Sequence, residues 1–199
     1  MPSLLQRFIA LILIIVFSPI FLLLCTIILF DDGFPFIFHQ KRIGKNGDKF
    51  SCFKFRTMLK NSEKILKNDK DLMKIYIEND YKIPEKLETR YTKHGLFFRK
   101  YSLDEIPQFF NVLIGDMNLV GPRPIVPKEL EHYVGEKRTQ FLSVKPGITG
   151  LWQVSGRSNI DYPERVDFEL KYIQKRSLWF DLKILFQTIF VVLVKRGAH

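Results

Sequence analysis

Two cysteines, Cys25 and Cys52, are too few and too far apart for a disulfide framework, and with no C-x-x-C pair they make no zinc site. They read as free thiols in a reducing compartment. Internal repeats and low-complexity tracts are also missing, which removes solenoids and flexible linkers from consideration. Acid is scarce in one region: residues 39–60 carry Lys41, Arg42, Lys45, Lys49, Lys54, Arg56 and Lys60 against Asp48 alone. Over the whole chain of 199 residues, 31 basic and 21 acidic side chains give +10. That length suits one domain of modest core plus one membrane element, and the charge calls for a polyanionic partner: phosphate esters, acidic lipid or nucleic acid.

What the chain has from the outset is a long apolar run. Residues 8–30 are interrupted only by Ser18, Pro19 and Thr26, and 23 residues at about 1.5 Å each reach across a bilayer. A cleavable signal peptide does not fit, because the run is too long and no small-x-small site follows it. Pro19 removes a donor near the midpoint and crowds the carbonyl of Ile15, so a bend is expected there, with the Ser18 hydroxyl placed to bond a freed carbonyl. The basic region beyond residue 40 prefers the cytoplasmic side, and so does Arg7 before the run. A re-entrant hairpin satisfies both ends, whereas a proline-kinked span sends Arg7 across. The residues alone leave both open.

Residues 36–55 predict a β-hairpin around Asn46-Gly47, a pair that favours positive φ. Its alternating aromatics and cations suit nucleic acid. Beside a membrane segment they suit acidic head groups better, at about 1 kcal/mol per basic residue near the surface. Residues 60–80 read as one or two exposed helices with a solvated charged face, and residues 81–93, with Pro84, as a loop. Leu130, Tyr133, Val134, Phe141 and Leu142 recur at helical spacing as ordinary core positions. KPGITGLWQVSGR, residues 145–157, has three glycines and a proline in thirteen positions, which predicts a shaped loop of the kind found against ligands. Pro163 suits the first turn of a helix bearing Val166, Leu170 and Ile173. Residues 178–194 hold thirteen apolar side chains out of seventeen, with Asp181, Lys183, Gln187 and Thr188 scattered among them. They read as a helix lying in a membrane interface, Trp179 near head groups and Lys195 and Arg196 at its edge, with a buried core helix as the alternative.

The central stretch, RKYSLDEIPQFFNVLIGDMNLVGPRP over residues 99–124, sets Asp104 and Glu105 side by side between Arg99 and Arg123. Ser102 to Glu105 has the S-x-x-E form of a capping box. Pro107 argues instead for a start about two residues later, with Asp104 as N-cap. Either places Asp104 where free N–H groups favour anions. Taken singly, an Asp-Glu cap and a Gly-Pro-Arg-Pro turn are ordinary. Together, carboxylates, arginines and a helix start indicate phosphate chemistry.

SLDEIPQFFNVLIGDMNLVGPRP, with HQKRIGKNGDKFSCFKFRTM before it and KPGITGLWQVSGR after it, closely resembles the bacterial sugar transferases, the monotopic phosphoglycosyl transferases. The likeness runs from Ser18-Pro19 to Gly197-Ala198, with residues 60–94 outside its motifs, and matches the short catalytic form without extra N-terminal membrane helices. It implies an α+β, mostly helical, monotopic membrane protein. Residues 1–34 would form a re-entrant anchor kinked at Ser18 and Pro19. Residues 35–199 would form a membrane-associated catalytic domain, with a small hairpin and interfacial helices around the site. It also implies a place on the cytoplasmic face of the bacterial inner membrane, and transfer of a phosphosugar from a UDP-sugar to polyprenol (undecaprenyl) phosphate. That is the first membrane step of capsule, exopolysaccharide, O-antigen or glycoprotein glycan assembly. The resemblance makes Asp104 the nucleophile, close to Mg²⁺, with Glu105 its dyad partner. Arg99 and Arg123 fall near the phosphates and Arg157 in the glycine-rich loop. Anionic lipids are expected partners, nucleic acid is not, and a homodimer is compatible.

The residue chemistry agrees, since a carboxylate acts as a covalent catalyst when its target is electrophilic and shielded. Glu105 would complete the metal environment or tune Asp104. The alternative is a non-enzymatic basic scaffold at the membrane surface, which would bind lipid without Mg²⁺-dependent release of UMP. A nucleic-acid binder would show steeply salt-dependent affinity.

Overall fold

The computed structural model of the chain describes residues 1–79 and 83–194, Ser158 by its backbone only. Helix α1 (Ser3–Asp32) is continuous through Pro19. Because proline has no N–H, the carbonyl of Ile15 lacks its helical donor, and the Ser18 hydroxyl supplies one at 2.7 Å. By length and composition α1 can cross a membrane. Of its residues only Gln6, Ala10, Leu24 and Ile28 are buried. Both ends are bonded to the same body. Gln6 Oε1 accepts from the Leu119 N–H at 2.8 Å. At the other end Asp32 accepts from Arg56 Nη1 at 2.9 Å, and Asp31 Oδ1 lies 2.8 Å from His94 Nδ1.

Strands β1 (Ile37–Ile43) and β2 (Lys49–Phe55) form the expected antiparallel hairpin, and Asn46 and Gly47 take positive φ, 59° and 87°, in its turn. The charged region beyond it forms α2 (Ser62–Asn68) and α3 (Lys70–Glu78), parted at Asp69, whose carboxylate caps α3 through the Leu72 N–H. The loop expected over residues 81–93 lies outside the described residues at 81 and 82, and from 83 onward holds one 3-10 turn, Glu85–Leu87. Helices α4 (Gly95–Lys100) and α5 (Gln108–Ile114) flank the central stretch. Strand β3 (Asn118–Val120) follows a Gly115 with φ 97°. Residues 127–142 split at Gly135, φ 56°, into a 3-10 segment, Pro127–His132, and α6 (Glu136–Leu142). Leu130, Tyr133 and Phe141 are core, but the break turns Val134 out to solvent.

Residues 145–157 are not the loop their glycines predict. They form β4 (Gly147–Thr149), parallel to β3, and α7 (Leu151–Ser155), with only a 3-10 turn, Arg157–Asn159, at the end. The glycines serve close backbone approach. A Cβ on Gly121 would fall 2.7 Å from the Gly147 nitrogen, and one on Gly150 would run into the Gly121 carbonyl.

Helix α8 (Glu164–Lys175) follows Pro163 as expected, and Val166 and Leu170 are buried. Helix α9 (Leu178–Leu193) is inverted relative to a soluble helix. Asp181 and Ile184 are buried, Tyr172 OH donates to Asp181 at 2.8 Å, and the hydroxyls of Thr188 and Thr149 meet at 2.7 Å. Trp179, Phe186, Ile189, Phe190 and Leu193 point outward. Of the polar residues that look scattered in the sequence, Asp181 and Thr188 therefore share the inner side, while Lys183 is exposed. Lys195, Arg196, Gly197 and Ala198 lie outside the described residues.

One buried side chain joins the two halves of the site. Asn111 on α5 is fully buried, and its amide closes the free edge of β2, accepting from the Phe53 N–H at 2.9 Å and donating to the Ser51 carbonyl at 2.7 Å. Asn111→Leu keeps the volume but strands both backbone groups, and is expected to cost roughly 2–4 kcal/mol. Thermal unfolding in detergent measures this, and an unchanged midpoint would contradict it.

Candidate active site

Ser102 takes a left-handed conformation, φ 55°, and turns the chain from α4 into a single 3-10 turn, Leu103–Glu105, ahead of α5. The capping box does not form: Ser102 makes no capping bond, and the α-helix starts at Gln108 with Pro107 before it. Asp104 is not the N-cap either, since Pro107 holds that position. The 3-10 turn uses the Glu105 N–H on the Ser102 carbonyl and the Ile106 N–H on the Leu103 carbonyl. Side-chain cations take over that role.

Lys54 of β2 reaches both carboxylates, at 2.8 Å from Glu105 Oε1 and 3.6 Å from Asp104 Oδ2. Arg123 Nη1 lies 3.7 Å from Glu105 Oε1, and its guanidinium sits over the Trp152 ring at 5.5 Å. Arg157, φ 52°, and Arg99 lie within electrostatic reach, Arg157 of both carboxylates and Arg99 of Asp104. Arg99 Nη1 is steadied by the Tyr91 hydroxyl at 3.0 Å. Behind this ring Arg42 donates to the Pro124 carbonyl at 3.1 Å and pairs with Glu129 at 3.4 Å. Burial, together with the nearby Arg123, lowers the Arg42 pKa to about 10.

The dyad is split electrostatically. Burial raises the pKa of Asp104, and the negative Glu105 adds to this, against a smaller pull downward from Lys54, Arg99 and Arg123. Glu105 is half-buried, and Lys54 and Arg123 outweigh its desolvation and hold it below the usual carboxylate range. Glu105 thus stays ionised and paired while Asp104 is the less stabilised, more available carboxylate. Next to this turn, Ile106, Phe109 and Phe110 line an apolar cleft of about 170 Å³ with Phe17, Ser18 and Phe21 of α1. Pro19 follows Ser18 in α1, so the predicted kink pair borders the cleft.

Asp104, Glu105, Arg99, Arg123 and Arg157 are therefore gathered from four separate parts of the chain. Sequence reasoning assigned Lys54 to lipid head groups and did not single out Trp152, Glu129, Arg165 or Glu169. Lys54 was detectable by parity, since it shares a strand face with Phe50 and Cys52, both buried. Arg42, Lys54 and Arg56 all turn onto carboxylates, which leaves Lys41, Lys45 and Lys49 of the hairpin exposed.

The motifs that shape this site recur across a known family. Residues 1–195 match the family model described as bacterial sugar transferase. The chain belongs to this family. Among family relatives, an "Uncharacterized sugar transferase" of Haemophilus influenzae is 50% identical over 190 residues, covering 94% of this chain and 39% of the relative. An "Undecaprenyl-phosphate galactose phosphotransferase" of Salmonella typhimurium is 47% identical over 191 residues, again 94% and 39%. The "Exopolysaccharide production protein ExoY" of Rhizobium meliloti is 41% identical over 190 residues, covering 94% of this chain and 82% of that protein. The chain thus spans 39% of the length of the first two and most of the third.

The split dyad has a consequence for stability. A carboxyl whose folded pKa is raised weakens the fold above that pKa, and the penalty fades as pH falls through it toward the unfolded value. Asp104→Asn should therefore raise the thermal midpoint at pH 8, with the gain shrinking on acidification. A lower midpoint than the parent at pH 8 would contradict the assignment.

Proposed function

We propose that this chain transfers a phosphosugar from a UDP-sugar to polyprenol phosphate, releasing UMP, through a covalent intermediate on Asp104. The observation that carries the reading is the Asp104–Glu105 pair, Asp104 buried and Glu105 half-buried, ringed by Lys54, Arg123, Arg157 and Arg99. The printed names of relatives, which include a UDP-glucose:undecaprenyl-phosphate glucose-1-phosphate transferase of Klebsiella pneumoniae at 38% identity, support the substrate class.

In the first step a carboxylate oxygen of Asp104 forms a bond to the sugar-bearing phosphorus, and the bond from that phosphorus to the bridging oxygen breaks, so UMP leaves with the electron pair. In the second step an oxygen of the lipid phosphate bonds to the same phosphorus and the acyl–phosphate bond breaks, restoring the Asp104 carboxylate. Lys54 and the arginines offset charge on the phosphoryl oxygens, and their fixed placement supplies orientation. Asp104 is suited to attack because Glu105, not Asp104, takes the closest contact of Lys54.

Among the described residues no group of three or more His, Cys, Asp or Glu side chains could hold a metal ion. Two adjacent carboxylates fit Mg²⁺, which keeps several waters and binds through one or two protein carboxylates plus substrate phosphates. Asp104 and Glu105 would hold it, and it would neutralise diphosphate charge when bound.

We further read α1 as re-entrant, on the cytoplasmic face of a bacterial inner membrane. The support is that Gln6 at one end and Asp31 and Asp32 at the other bond to one body, while apolar side chains between them face outward. Helix α9, with its polar side inward, would lie in the same interface among anionic lipids. A site at the membrane surface suits the reaction, since the sugar nucleotide is soluble and the polyprenol stays in the bilayer.

Two experiments test this. With UDP-sugars and undecaprenyl phosphate, the parent chain should release UMP and carry a trapped label from the sugar phosphate. Asp104→Asn should lose both by at least about a thousandfold, of the order seen when a group acting only in the transition state is removed. EDTA should abolish release, and near-normal activity of the variant would refute the nucleophile. For topology, single cysteines at Ser3 and Phe34, in a chain with Cys25 and Cys52 replaced, should both react with an impermeant maleimide in inside-out vesicles and neither in spheroplasts. Labelling from opposite sides would exclude re-entry.

A further inference from the structure

We propose that Glu169 is a positioning residue for Arg123, holding by one backbone hydrogen bond the turn that aims this arginine at the donor diphosphate; the claim rests on the transferase reading above. Between Gly121 and Ile125 the chain has a single N–H, because residues 122 and 124 are prolines. That N–H, on Arg123, donates to Glu169 Oε1 at 3.1 Å. The other backbone anchors of the turn among the described residues are main-chain groups and Arg42. Gly121 N–H donates to the Thr149 carbonyl at 2.9 Å, and the Pro122 carbonyl accepts from Gly147 N–H at 2.8 Å. The Pro124 carbonyl accepts from Arg42 at 3.1 Å. Among the described residues, Glu169 is the side chain that anchors the Arg123 backbone.

Packing does not explain a glutamate there. Its side chain is fully buried, and its Oε2 has no hydrogen-bond partner among the described residues. Burial pushes its pKa up to about 7 even with the Arg165 charge beside it. Arg165 Nε stands 3.8 Å from Glu169 Oε1, and Arg165 Nη1 pairs with Glu129 at 3.0 Å. The Arg165 guanidinium lies over Trp152 at 4.4 Å, the ring that Arg123 also overlies, and Trp152 is itself tied to the Ile160 carbonyl at 2.9 Å. Glu169 thus anchors the Arg123 backbone, and through Arg165 it braces the ring on which the Arg123 side chain rests. A buried acceptor kept in so costly a setting has a specific donor to serve.

The test is UDP affinity, measured by calorimetry on the full chain in detergent, with kcat/KM for the UDP-sugar as a second readout. Glu169→Gln retains an oxygen acceptor and should stay within about threefold of the parent in both. Glu169→Met removes the acceptor and should weaken UDP binding at least about tenfold, the worth of one lost hydrogen bond in a buried site. The double variant with Arg123→Ala should bind no more weakly than Arg123→Ala alone, because both changes remove the same contact. A merely structural role would give losses that multiply, and that result, or parent-like affinity in Glu169→Met, overturns the proposal. Should Glu169→Met fail to fold, the Arg123 N–H itself can be replaced by an ester oxygen, using the α-hydroxy analogue of arginine at that position. The same tenfold loss is expected, and unchanged affinity overturns the claim. The two readings fail separately. No UMP release by the parent chain from any UDP-sugar sinks the transferase assignment, whereas multiplying losses in UDP affinity sink only the role of Glu169.

Discussion

Two neighbouring carboxylates are largely withdrawn from water, and the cations around them approach one more closely than the other; the remainder of the structure is arranged around that imbalance. Lys54 stands nearer Glu105 than Asp104, so one acid is fully paired and the other is left raised in pKa and available. Removing an ionised carboxylate from water is expensive unless partners approach closely. The fold meets this by converging a strand, a 3-10 turn, a proline-flanked turn and the end of α7 on one point. Asn111 is the mechanical link, because its amide ties the helix behind the dyad to the strand that carries Lys54.

The second constraint is the solvent for the two apolar helices. In α9 the inner side carries Asp181 and Thr188, each with a hydrogen-bond partner, and the outer side carries Trp179, Phe186 and Phe190. A helix with its polar side inward and its apolar side outward suits the membrane-interface placement proposed above. Helix α1 obeys the same rule in its middle, while its polar ends return to the body. The Ser18 hydroxyl on the Ile15 carbonyl shows how a proline is carried inside an exposed apolar helix without leaving a carbonyl unpaired. The apolar cleft beside Ser18 adjoins the dyad turn, so α1 and the segment that carries Asp104 and Glu105 meet at one cleft.

Where local chemistry decided the outcome, the sequence was easy to read. Asn46-Gly47 placed the hairpin turn, and Pro163 opened α8. It misled where a residue type serves two purposes. The glycines of residues 145–157 resemble a ligand loop, yet they exist because β3, β4 and the Gly121 turn approach too closely for a Cβ. Ser102 and Glu105 have capping-box spacing, but the left-handed Ser102 and Pro107 made a 3-10 turn the better closure. Lys54 was hidden among seven cations that look alike in one dimension, although strand parity with Phe50 and Cys52 would have separated it.

The sequence by itself determined the hairpin, most of the helices and the adjacency of Asp104 and Glu105, because turns and apolar periodicity depend on neighbours a few residues away. It also carried the family, through motifs long enough to be specific. Only the tertiary structure decided which cation faces which acid, that Glu105 rather than Asp104 is the paired one, and that Glu169 of α8 serves the backbone of Arg123. Those outcomes depend on distances of a few ångström between segments about fifty residues apart, and Coulomb and hydrogen-bond energies change steeply over such distances.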